Sequence, residues 1–291
     1  MKCLTMLVTA FLVALAGATN VRAGAFADEV ISYTPGTTAA GGYTNRSAAL
    51  GSPTRFTGGD FPGVVSPFSP PYLTSDIVSI GQGGQLTLRL SNYALTSSTG
   101  LQLGVFAHAG IADANNTYDS SSQAGSPLAS SNDPSSGMFS VYSANVAVSA
   151  DDHTWVSLGR KTFDIPTNGY TDLTDPFSST AGSALSDFGK PFAGSLSSFA
   201  GETYSQMLTT LNGSGGGNWF DLSGTGLSQV GYIRFSLDTA DHFELDAVSV
   251  ANGFVGAATP EPATGVLAVI GFVGILFLAR RRRWSGVGAK G

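Results

Sequence analysis

Three histidines and a scatter of carboxylates are the residues of this chain best equipped for chemistry. His108, His153 and His242 stand far apart, without the spacing that places two imidazoles on one helix face around a metal ion. Serines abound, yet none sits in a Gly-x-Ser-x-Gly elbow, the turn that exposes a nucleophile between strand and helix. Acids do pair, at Asp151/Asp152, Asp172/Asp175 and Asp238/Asp241. Two carboxylates can cleave a glycosidic bond when one is protonated and the other ionised. In so acidic a chain such pairs arise by chance, so the sequence predicts a non-catalytic protein. A secreted hydrolase is the lesser alternative.

Binding chemistry has two sets of candidates. Asp238, Asp241, Glu244 and Asp246 cluster near the end of the central region, and hard cations favour several carboxylate oxygens. A structural calcium ion is thus the one cofactor the sequence suggests. Strand alternation would separate some of these acids, and plain solvated carboxylates are the simpler reading. Tyr118, Trp155 and Trp219 could stack on sugar rings, the simpler reading being that they fill the core. Gly81-Gln82-Gly83-Gly84 lacks the Lys-Ser/Thr of a phosphate-binding loop and precedes a strand instead of a helix, so it reads as a turn.

Charge narrows the partners. The net charge of −6 conceals a division: residues 24–258 hold seven basic and nineteen acidic side chains, a net −12, while the other seven basic residues flank the two terminal apolar segments. A body this acidic should not bind nucleic acid by bulk electrostatics. The single cysteine, Cys3, lies in the N-terminal segment, which leaves residues 24–258 without a disulfide, a zinc–cysteine site or a thiol nucleophile.

These residues must be positioned by a predominantly β framework. Val30–Tyr33 reads as a short strand, and a proline-rich stretch from Pro35 to Tyr72 as ordered coil lying over a surface. Strands follow at Ile77–Ile80, at Gln85–Leu90 with Leu86, Leu88 and Leu90 on one face, and at Leu101–Ala107. Residues 110–137 show no pattern and read as a mobile loop. Asn145–Ser149 and Thr154–Leu158 form the clearest hairpin, turning through Ala150-Asp151-Asp152-His153. Between 161 and 225 the pattern changes to turns, with Tyr204, Met207, Leu208 and Leu211 spaced as one amphipathic helix across roughly Phe199–Asn212. We read this stretch as an insertion. Strands at Val230–Leu237 and Phe243–Val250 close the body. The sequence predicts an all-β fold class, an antiparallel β-sandwich with one short helix.

Both ends read as targeting segments. Met1-Lys2, the apolar Leu4–Leu15 and the small-residue site ending at Ala23 form a signal peptide over residues 1–23, implying the Sec export machinery. At the other end, the apolar run Ala263–Ala279 would make a helix of about 25 Å, short but adequate for a bilayer core of about 30 Å. Arg280, Arg281, Arg282 and Arg283 follow, which orients the residues beyond the run, 285–291 included, to the cytoplasm.

Two resemblances follow from these residues. Val146-Ala-Val-Ser-Ala-Asp-Asp-His-Thr-Trp155, Val230–Phe235, Phe243–Val248 and Gly81–Leu88 resemble strands of discoidin-like, galactose-binding-like domains of bacterial surface proteins, the last as an early hairpin. Asp152 departs from that pattern, which has glycine there. Pro260-Glu261-Pro262, the apolar span and the arginine cluster, in that order over 259–284, resemble the PEP-CTERM sorting signal. That resemblance implies recognition and cleavage by an exosortase, a membrane-anchored intermediate, then release to the cell surface or an extracellular matrix, often beside exopolysaccharide. A carbohydrate- or ice-binding module is the alternative role for the body.

Overall fold

The computed structural model describes residues 25–58, 62–96, 99–114, 138–252 and 254. Eleven strands appear among them: β1 (Glu29–Thr34), β2 (Val78–Gly81), β3 (Gln85–Leu95), β4 (Leu103–Ala107), β5 (Gly110–Ile111), β6 (Met138–Ser140), β7 (Tyr142–Ser149), β8 (Trp155–Phe163), β9 (Asn218–Phe220), β10 (Gln229–Ser236) and β11 (His242–Val250). Two antiparallel sheets hold nine of them, in the orders β1-β3-β10-β7-β8 and β2-β11-β4-β9, with β5 and β6 paired separately.

One apolar core joins the two sheets in a sandwich arrangement. Leu86, Leu88 and Leu90 of β3, Val146 and Val148 of β7, and Ile233 and Phe235 of β10 come from the larger sheet. Ile80, Val105, Phe243, Leu245 and Val248 meet them from the smaller one. The period-two alternation read from β3 and β10 is the cause, because it sends every second residue to one face. Phe163, Phe235 and Phe243 pack with ring centroids 4.7 to 6.2 Å apart.

The smaller sheet is covered on its other face as well. Phe106 alternates with Val105 and Ala107 and enters a second cluster with Phe188, Phe199, Tyr204, Met207 and Trp219. That cluster includes the one α-helix among the described residues, α1 (Tyr204–Leu211). Its buried stripe of Tyr204, Met207 and Leu211 matches the sequence expectation, but the helix is shorter. Thr203 and Gln206 bond reciprocally at its start, and Asn212 ends it in a left-handed conformation at φ 47°. The preceding Leu196–Phe199 is a separate 3₁₀ turn. The same region also supplies β9, a strand the composition hides behind glycines. Gly104 makes room for it, since a Cβ there would stand 2.7 Å from the Trp219 ring.

The proline-rich coil lies over the structure as expected. Arg55 fastens it to the 164–217 region: its Nη1 donates to the carbonyls of Gly169 and Ser186, both at 2.8 Å, and the guanidinium sits 3.9 Å above the Phe188 ring.

Two expectations need correction. Gly81–Gly84 does not close a hairpin, because β2 pairs with β11 while β3 pairs with β1 and β10, so the turn carries the chain from one sheet to the other. Strict alternation along β11 also fails. A bulge between Leu245 and Ala247 shifts the phase, so Val248 and Val250 face the same core as Phe243 and Leu245.

The hairpin of β7 and β8 is confirmed, longer than read, pairing from Tyr142↔Phe163 to Ser149↔Trp155 with a register shift between Val146 and Ala147. Asp151 braces the turn by accepting from the N–H groups of His153 and Thr154 at 2.9 and 2.8 Å. Asp152 adopts φ 62°, the left-handed region where the related pattern has glycine. Aspartate tolerates this region; a β-branched side chain does not. Asp152→Val should therefore cost about 1–2 kcal/mol, read as a lower melting temperature, whereas an unchanged one would mean the turn relaxes elsewhere.

Candidate functional site

Antiparallel pairing of β4 with β11 brings His108, just past the end of β4, beside Glu244. The His108 N–H donates to the Glu244 carbonyl at 3.1 Å. Their side chains also meet, with His108 Nδ1 2.7 Å from Glu244 Oε2. The Tyr142 hydroxyl, from the first residue of β7, donates to the same oxygen at 2.7 Å. An ionised carboxylate can only accept, so His108 carries its proton on Nδ1. His242, two residues before Glu244 on β11, brings its Nε2 to 3.7 Å from Oε1. The Tyr142 ring lies near both imidazoles, with centroids 6.2 Å from His108 and 5.6 Å from His242.

Glu244 is 6% exposed at its side chain. Burial pushes its carboxyl up, but the bonds from His108 and Tyr142, together with attraction to both imidazoles, outweigh that and hold it below its ordinary value. The result is an ionised carboxylate inside the protein, kept charged by a Tyr and a His. Perturbed groups of this kind concentrate at functional sites.

His108 also lines a cleft of about 380 Å³. Phe68, Tyr72, Ile111 and Phe177 form its apolar walls, and Asp113 stands among its lining residues. Phe68 and Phe177 are 6.4 Å apart at a 56° tilt. The proline-rich coil contributes Phe68 and Tyr72, and hydrogen bonds hold this irregular stretch in place. The Tyr72 hydroxyl, for instance, donates to the Pro62 carbonyl at 3.3 Å.

Asp246, at the β11 bulge, is enclosed on every side at 1% exposure. Both of its oxygens accept from Thr54, one from the backbone N–H and one from the hydroxyl, each at 2.9 Å. Burial pushes its carboxyl up to about 7 against these bonds, and the charge of Asp76 adds to the rise. The Asp76 carboxyl is itself raised by burial, and its Oδ2 has no hydrogen-bond partner.

The four acids considered for calcium therefore occupy separate surroundings. Asp238 is exposed and pairs with Arg160 at 3.1 Å, Asp241 is exposed beside His242, and Glu244 and Asp246 are buried in different hydrogen-bond sets. Among the described residues no group of three or more His, Cys, Asp or Glu side chains is placed to hold a metal ion. Trp219 is 9% exposed, donates its indole N–H to the Gly216 carbonyl at 2.9 Å and packs edge-on to Phe106. Trp155 stays half-buried on the larger sheet, its ring 3.7 Å beneath the Arg234 guanidinium. Tyr118, the motif Pro260-Glu261-Pro262 and Arg280–Arg283 lie outside the described residues. Among those described, no helix is long and apolar enough to cross a membrane, and Ala263–Ala279 is not among them.

The sequence left the histidines solitary, yet two of them converge on one carboxylate. Half of that signal was present, because His242 and Glu244 are two apart in a strand and share a face. The other half depends on which strands pair. Compared with known proteins, the chain matches no family model, and none of the curated proteins matches it.

Proposed function

We propose that this chain is an exported cell-surface or matrix-associated protein, delivered by an exosortase and carrying a non-catalytic body of jelly-roll, galactose-binding-like type. The observation that carries the reading is the ordered tail: Pro260-Glu261-Pro262, then seventeen apolar or small residues from Ala263 to Ala279, then four consecutive arginines. A short positive start and an apolar stretch at the N-terminus supply the matching export signal. Two sheets around one core, with a second cluster beneath, also suit a chain that has no cysteine after Cys3 to brace it. In this reading the membrane span is temporary. The exosortase would cut near the Pro-Glu-Pro, its catalytic residues belonging to that enzyme and not to this chain.

Replacing Pro260-Glu261-Pro262 by three alanines should hold the protein in the membrane fraction at its uncleaved mass, as should deletion of the exosortase. Fractionation followed by mass spectrometry of the C-terminus distinguishes the outcomes. Release at the same mass with the motif removed would refute the sorting role.

A further inference from the structure

We propose that the cleft in front of His108 binds a small methylated-ammonium cation. The inference concerns the body alone and stands apart from the route by which the protein is delivered. Charge comes first. Among the described residues the lining includes Asp113 and neither lysine nor arginine, and behind it Glu244 accepts from His108. Around it, residues 24–258 carry a net −12, which draws cations toward the surface and repels anions.

Surface chemistry then selects among cations. Phe68, Tyr72 and Phe177 are among the lining residues, and the face of an aromatic ring is electronegative and attracts a cation that has shed its water. A primary ammonium is compact and strongly hydrated and would need several oxygen acceptors to replace that shell. Methyl groups spread the charge and make the ion fit apolar walls, here completed by Pro62, Pro70 and Ile111. A neutral sugar would ask for several convergent amide or guanidinium groups, and among the described residues none lines the cleft. The volume of about 380 Å³ lies in the lower part of the range of roughly 300–1,000 Å³ for small-molecule sites. His108, itself in the lining, is held in one orientation because Glu244 accepts from its Nδ1–H.

The test uses the full chain in maltoside micelles, titrated with choline and followed by saturation-transfer NMR of the choline methyl protons and by calorimetry. Saturable binding with a Kd on the order of 1 mM is the expected result. Dimethylbutanol, the isostere with carbon in place of the charged nitrogen, should bind at least about tenfold more weakly, because the ring and carboxylate attractions both act on charge. Asp113→Asn and Phe177→Leu should each weaken choline by about fivefold. The comparison of choline with its isostere uses the unaltered chain, so it holds even where a variant folds poorly. Equal binding of the isostere, absence of saturation, or affinity for phosphatidylcholine vesicles without affinity for free choline would each overturn the proposal. Saturable binding of a methyl galactoside with choline silent would do so too.

Discussion

Replacing Asp246 by asparagine should stabilise the protein at pH 8 by on the order of 4 kcal/mol, with a gain that shrinks as the pH falls and vanishes below the ordinary carboxylate range. Burial pushes the folded carboxyl up to about 7 from its ordinary value of 3.8. A raised value means that folding favours the protonated form. Its contribution is whole below pH 3.8 and is lost progressively as the pH rises through 7, after which the cost levels off. Three pKa units at 1.36 kcal/mol each give the stated magnitude. Asparagine matches the protonated acid in shape. Its Oδ1 can accept from the Thr54 N–H, and its Nδ2 can donate to the Thr54 hydroxyl, so the clasp between coil and β11 survives while the charge does not. Melting temperatures of both proteins at pH 4, 6 and 8 decide the matter. The difference should widen with pH, and a constant offset, or a variant weaker at pH 8, would mean that Asp246 is not a buried acid under strain.

How far this was legible from sequence depends on the range of the interaction. Leu86-x-Leu88-x-Leu90 and the Tyr204, Met207, Leu211 stripe reveal their faces because period and burial are local consequences of backbone geometry. Gly81–Gly84 was legible as a turn but not as a crossing between sheets, since the same residues serve either end and the choice is made by partners β11 and β10, both more than a hundred residues away. The bulge at Asp246 is similarly silent. One extra residue moves Val248 and Val250 into the core without altering the composition of the strand. At the site, the sequence sets Glu244 beside acids close along the chain, whereas its hydrogen-bond partners His108 and Tyr142 lie 136 and 102 positions away. Asp152 is the opposite case: the departure from glycine was visible in sequence, and the positive φ is its local consequence.

Glu244→Ala should be the most damaging single change at the site, costing about 3 kcal/mol or more, because it removes the acceptor that His108 and Tyr142 share and opens a cavity beneath them. Glu244→Gln keeps one accepting oxygen and the volume, and should cost about 1–3 kcal/mol for the lost charge-assisted bonds. The pH dependence runs opposite to that of Asp246. The folded Glu244 carboxyl lies below its ordinary value of 4.5, so its contribution is present above pH 4.5 and is lost as the pH falls through the lower, folded value. The glutamine variant should therefore trail the parent by a constant margin near neutrality and close the gap in acid. Parallel curves down to pH 3 would mean that Glu244 is not held ionised. Because the two buried acids of β11 pull in opposite directions, their combined contribution should be largest near the ordinary carboxylate range, where Glu244 is still ionised and the cost at Asp246 has only begun. The double variant with Asp246→Asn and Glu244→Gln should lose both slopes, which no rearrangement at only one site would produce.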